Sequence, residues 1–142
     1  SNLELMKKWP TGSHGGTYGG NAVAMAAAVA TVRAMRDEKM IENATTRGLE
    51  LMVGLRKLQE EHSQIGDVRG LGLMIGTEFI DGNGKPNKAA AKSVISMAEK
   101  EGLLLLSCGT YDNTIRWIPP LNVTPSQISD GLKIFSKALK DL

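Results

Sequence analysis

The sequence predicts an α/β chain of the α+β type, with two N-terminal helices followed by a small sheet that carries helices on one face. Three observations predict it. An alanine-rich apolar segment is followed by a second segment whose apolar residues recur at spacings of three and four. After residue 64 come short runs of branched and aromatic residues broken by glycines, with a helical pattern between them. The last segment opens with a helix start signal.

Residues 3 to 8 read as a short helical turn stopped by Pro10. A loop follows, rich in glycine from Gly12 to Gly20. Asn21 is placed to cap a helix running to about Lys39, apolar on nearly every face up to Val32 and expected to be buried. The second helix covers Ile41 to His62, with Ile41, Ala44, Gly48, Leu51, Leu55 and Leu58 as its inner stripe. Ile65 to Phe79 reads as one strand, because Leu71, Leu73, Ile75 and Phe79 share one parity. Gly70, Gly72 and Gly76 share the other, which suggests close approach of another backbone or a bound group. Asn87 caps a helix from Lys88 to Glu101, with Ala90, Ala91, Val94, Ile95 and Ala98 inward and Gly102 as its C-terminal glycine. Leu103 to Ser107 reads as a fully buried strand, and Thr114 to Ile118 as another. Thr124, Pro125 and Gln127 form a capping box with a preorganised proline, followed by Ile128, Leu132, Phe135 and Leu139 on one face.

Composition excludes several classes. With 17 basic and 15 acidic residues the net charge is +2, so neither a nucleic-acid field nor a polybasic membrane anchor is present. The longest apolar run, Ala22 to Val32, is too short for a membrane span. No secretory leader is legible in the first residues. The single cysteine, Cys108, excludes an internal disulfide and fits a cytoplasmic location. It has no partnered base and reads as a small buried residue. His14 and His62 make no metal pair, and Asp81 to Lys85 reads as a surface turn, since Lys85 and Lys92 stand at would-be calcium ligands.

Two segments bear chemistry. In Ser13 to Asn21, glycines let backbone N–H groups converge at a helix start, and Thr17 adds a hydroxyl. That describes an anion site, although by pattern alone a plain glycine-rich connection is the more usual reading. It is not a P-loop, because no lysine follows the glycines. In the second segment, Arg116 lies mid-strand between apolar residues, in phase with Thr114 and Ile118. Pointing inward, it needs an anion; pointing outward, it needs nothing. Arg69, in Asp67-Val68-Arg69-Gly70, reads as a structural ion pair and is not assigned to a site.

Taken together, Gly16-Thr17-Tyr18-Gly19-Gly20-Asn21 before an alanine-rich helix, Asp67-Val68-Arg69-Gly70-Leu71-Gly72-Leu73-Met74, and Arg116-Trp117-Ile118-Pro119-Pro120-Leu121 resemble the C-terminal segment of class III, fold-type-I aminotransferases. Cys108-Gly109-Thr110-Tyr111 is most similar to 4-aminobutyrate aminotransferases. Ala22, Asp112 and Trp117 depart from the family pattern, standing where proline, glycine and phenylalanine are usual. The resemblance implies a pyridoxal 5'-phosphate (PLP) cofactor in the full-length enzyme. It implies that Thr17, with the Gly16 N–H, contacts the phosphate of the partner subunit's PLP in a homodimer. It also implies that Arg116 grips the substrate carboxylate. The lysine that holds the cofactor belongs to the part of the family fold N-terminal to this segment, and Lys7 and Lys8 match no such motif, so no catalytic residue is assigned and the chain alone is expected to be inactive.

The implied organisation is a phosphate-contacting loop (residues 1–21), a bridging helical segment (22–63) and a C-terminal small domain (64–142). The implied reaction moves an amino group from 4-aminobutyrate or a similar ω-amino acid to 2-oxoglutarate. Ornithine or acetylornithine aminotransferases, class III aminomutases or racemases, and a non-catalytic α/β binding module are the alternatives. The apolar helix after Asn21 leads to an expectation of self-association when the rest of the enzyme is missing.

Overall fold

The structure, a computed structural model, describes residues 2–142. The chain divides into two compact units, one ending at Asp37 and the other spanning Glu38–Leu142.

In the first unit, helix α1 (Leu3–Met6) is capped by the Asn2 side chain, which accepts from the Glu4 N–H at 2.8 Å. Helix α2 (Ala22–Asp37) starts where expected. The Asn21 side chain accepts from the Ala24 N–H at 3.0 Å, satisfying one of the donors a helix start leaves open. The expected burial of α2 is not found. None of its residues is buried, and Val23 and Val32 are 78% and 67% exposed. An alanine-rich helix cannot cover itself and needs another element against it.

In the second unit, Lys39 adopts a left-handed conformation (φ 51°) ahead of α3 (Met40–Glu61). Gly48, Leu51, Leu55 and Leu58 form its buried stripe, while Ile41, expected inside, is exposed. Residues 65 to 79 are not one strand but a hairpin of β1 (Ile65–Leu71) and β2 (Met74–Phe79). Leu71 pairs with Met74 around a two-residue turn, and Gly72 supplies the positive φ (54°) that the first position of such a turn favours. The shared parity thus runs through a turn and not along one strand. Leu73, Ile75 and Phe79 are buried, and Leu71 faces out.

Helix α4 (Lys88–Lys100) is capped by Asn87, whose side chain accepts from the Ala90 N–H at 3.0 Å. The chain leaves it through Gly102 at φ 88°. The stretch expected as a fully buried strand over Leu103 to Ser107 is instead a short edge strand, β3 (Leu106–Cys108). Only Leu105 is buried there, and Leu104 is 81% exposed. An edge strand covered on one side has one inward residue in two, so four successive leucines cannot all face a core. Strand β4 (Thr114–Trp117) is close to expectation, and α5 (Pro125–Lys140) carries the complete capping box of Thr124 and Gln127.

The sheet is wholly antiparallel in the order β1-β2-β4-β3. Its buried face presents Val68, Ile75, Thr77, Phe79, Ile115 and Trp117 to the three helices. Trp117 stacks edge-on against Phe135 of α5, with ring centres 4.9 Å apart, and donates from its indole N–H to the Thr77 hydroxyl at 3.0 Å. The buried threonine is thereby satisfied. The other face of the sheet is open around Arg69, Leu106 and Arg116, while Thr114 on that face is buried.

Candidate functional site

The open face is built from cross-strand rows. One row runs Arg69, Gly76, Arg116, Leu106 across β1, β2, β4 and β3, and the next runs Asp67, Glu78, Thr114, Cys108. Arg116 is exposed, while its strand neighbours Ile115 and Trp117 are buried on the opposite face. Of the two orientations open to it, the outward one is found. Among the described residues no carboxylate lies within ion-pair distance of Arg116. Gly76, directly opposite, has no side chain of its own, and the Thr114 methyl lies 3.1 Å from where its Cβ would stand.

Arg69 is engaged. Its Nη1 donates to Asp67 Oδ2 at 2.7 Å and to Glu78 Oε2 at 2.6 Å, and the hydrogen bond to Asp67, then that to Glu78, holds its pKa above the ordinary value. The ion-pair reading of Arg69 stands. Glu78 Oε1 also accepts from Asn113 Nδ2 at 3.3 Å. The proximity of Gly76 and Glu78 to Arg116 was missed from sequence. The signal that finds them is strand register, which is a pairing property.

The loop before β4 accounts for one departure from the family pattern. Asp112 sits at φ 52°, a conformation that glycine adopts freely and aspartate tolerates better than most residues. Lys88 Nζ donates to its carboxylate at 2.6 Å, which lowers the Asp112 pKa. Asp81, in the surface turn, accepts from the N–H groups of Asn83 and Lys85, both at 2.9 Å.

In the first unit, Gly16 and Thr17 lie in an exposed series of turns, with Gly19 N–H donating to the Gly16 carbonyl at 3.3 Å and Gly20 at φ 79°. Among the described residues neither the Gly16 N–H nor the Thr17 N–H has a backbone acceptor, and the Thr17 hydroxyl has no partner. A Cβ at Gly15, Gly16 or Gly20 would meet nothing within 4 Å, so the donors stand open. Open N–H donors with one hydroxyl fit a phosphate dianion. Gly16 and Thr17 belong to the first unit and Arg116 to the second. A groove of about 690 Å³ between α3 and α5, lined by Leu58, Ile128 and Leu132, holds none of the three.

The pattern for class III aminotransferases matches residues 1–139. The chain belongs to the class III aminotransferases. It is 39% identical over 141 residues to the 5-aminovalerate aminotransferase of Pseudomonas aeruginosa, covering 98% of this chain and 33% of that enzyme. Against the 4-aminobutyrate aminotransferase of Escherichia coli it is 39% identical over 140 residues, covering 97% and 33%. The acetylornithine aminotransferase structure from Elizabethkingia anophelis superposes with a TM-score of 0.82 at 32% identity, over 100% of this chain and 36% of that one. The mixed α/β fold is thus that of the C-terminal portion of class III enzymes. The chain spans about a third of the length of the curated relatives it matches. Members of the family are PLP-dependent. No helix among the described residues is long and apolar enough to cross a membrane.

Proposed function

We propose that this chain is the C-terminal part of a PLP-dependent aminotransferase that moves an amino group from 4-aminobutyrate, or a similar ω-amino acid such as 5-aminovalerate, to 2-oxoglutarate. The observation that carries the reading is Arg116: an unpaired guanidinium on the open face of the sheet, in a chain of this family. A guanidinium grips a carboxylate through two parallel hydrogen bonds, which fixes the orientation of the substrate as well as its affinity. Both the donor and the acceptor carry such a group. In this reading the Thr17 hydroxyl and the Gly16 N–H donate to the cofactor phosphate of the neighbouring subunit in a cytoplasmic homodimer. The cofactor, when bound, supplies the electron sink that activates the amino carbon. Residues 1–21 act as the phosphate-contacting loop, 22–63 as the bridge and 64–142 as the small domain. No lysine here is placed to hold the cofactor, so the segment by itself is inactive.

The likeness to the acetylornithine enzyme supports a second reading, with ornithine or acetylornithine as donor. A donor panel on the full-length enzyme separates the two. In the same enzyme, Arg116→Gln raises KM for 2-oxoglutarate roughly ten- to hundredfold, the worth of hydrogen bonds to a charged group; an unchanged KM refutes the carboxylate role. Thr17→Ala weakens cofactor retention roughly tenfold, read as loss of PLP absorbance on dialysis, and full retention refutes the phosphate contact.

A further inference from the structure

Three pairs in the sequence set a carboxyl or carboxamide side chain directly before a glycine: Asp81-Gly82, Asn83-Gly84 and Asp130-Gly131. At such a pair the glycine nitrogen can attack the side-chain carbonyl carbon and close a succinimide ring, because no Cβ hinders the approach. The structure treats the three pairs differently. Asp130-Gly131 lies inside α5, where the helical ladder holds the backbone, and Lys133 engages the Asp130 carboxylate at 3.1 Å. Asp81 opens the turn after β2, and its Oδ1 accepts from the N–H groups of Asn83 and Lys85, both at 2.9 Å. Bringing its carboxyl carbon onto the Gly82 nitrogen costs both bonds, and an ionised carboxylate offers no good leaving group. Asn83 carries a neutral amide, and it and Gly84 are exposed. Gly84 stands at φ 74°, and a Cβ there would meet nothing within 4 Å. One restraint opposes attack: the Gly84 N–H donates to the Asp81 carbonyl at 2.9 Å. A single bond at a loop tip opens far more readily than a helical ladder.

We propose that Asn83 is a site of spontaneous modification that converts to isoaspartate in the folded protein, while Asp81 and Asp130 are spared. The Gly84 nitrogen gives its proton to solvent base and bonds to Asn83 Cγ. The bond from Cγ to Nδ2 breaks, and Nδ2 leaves as ammonia. Water then opens the ring. Opening at the main-chain carbonyl gives isoaspartate, and opening at Cγ gives aspartate. No oxidant or reductant takes part. The isoaspartyl form runs the main chain through one extra methylene. It lengthens a loop that is closed by the Ile80–Pro86 bridge and by the Asp81 N–H donating to the Lys85 carbonyl at 2.8 Å. It also adds a negative charge next to the Asp81 carboxylate, which already holds the turn.

The test holds the full-length enzyme at mildly alkaline pH. Its peptides are read by mass spectrometry and by methyl transfer from S-adenosylmethionine with an isoaspartyl methyltransferase. The peptide containing Asn83 gains the acid mass and the methyl label, and faster as the pH rises, because the deprotonated nitrogen attacks. Its rate is roughly tenfold below that of the same chain in denaturant, the worth of one hydrogen bond opened before attack. Asn83→Gln, whose longer side chain closes its ring far more slowly, removes the signal. At mildly acidic pH the protonated aspartyl carboxyl also cyclises. The chain in denaturant then marks Asp81 and Asp130 as well, and the folded enzyme marks neither. An Asn83 peptide that stays unmodified in the folded enzyme overturns the inference. So does isoaspartate at Asp81 or Asp130 of the folded enzyme at the rate seen in denaturant.

Discussion

Gly48→Ala tests how the hairpin that carries Gly76 and Glu78 is set against α3. An alanine in a helix interior normally gains about 1 kcal/mol over glycine. Here the sign reverses. A Cβ on Gly48 would stand 2.7 Å from the Gly72 Cα and closer still to the Gly72 carbonyl. Carbon atoms rest comfortably at about 3.5–4.0 Å, so α3 and the turn would have to part by roughly 1 Å. Both sides are backbone, and neither can rotate away. Overpacking of this kind costs about 1–3 kcal/mol, which exceeds the helix gain over most of its range and leaves a net loss of up to about 2 kcal/mol. For a unit of this size that lowers the melting temperature by roughly 4–8 °C per kcal/mol, measured by circular dichroism. Gly54→Ala is the internal control. Its Cβ would meet the end of the Leu132 side chain, with Cδ2 at 2.9 Å, and that side chain can turn aside. Gly54→Ala is therefore expected to be near neutral. If Gly48→Ala melts at or above the parent, the close approach of α3 to the turn is refuted.

Two further outcomes follow from the core and the caps. Thr124→Ala removes the hydroxyl that accepts from the Gln127 N–H at 3.3 Å and lowers stability by about 1 kcal/mol; no change in denaturant midpoint would count against the capping box. Trp117→Phe strands the Thr77 hydroxyl in the core and costs about 1–3 kcal/mol, whereas Trp117→Phe combined with Thr77→Val recovers part of it. Failure of the second change to recover any stability would show the indole bond to be of no consequence.

The sequence by itself determined the features whose causes are local. Asn87 and the Thr124–Gln127 box open their helices where a side chain can reach an unpaired N–H within one turn, and Gly102 ends α4 where a positive φ is required. The glycine-rich loop around Thr17 and the presence of Arg116 in a strand were legible for the same reason, and so was the family, which is a matter of ordered motifs. The tertiary structure decided what depends on pairing. The turn at Gly72 splits one apparent strand into two, because alternation alone does not distinguish a strand from a tight hairpin. The edge position of β3 leaves Leu104 and Leu106 outside, since burial depends on how many sides of a strand are covered. The approach of Gly48 to Gly72, and the row that sets Gly76 beside Arg116, join residues distant in the chain through backbone contact and strand register. Local chemistry specified the parts, and long-range pairing chose which charges would meet on the open face.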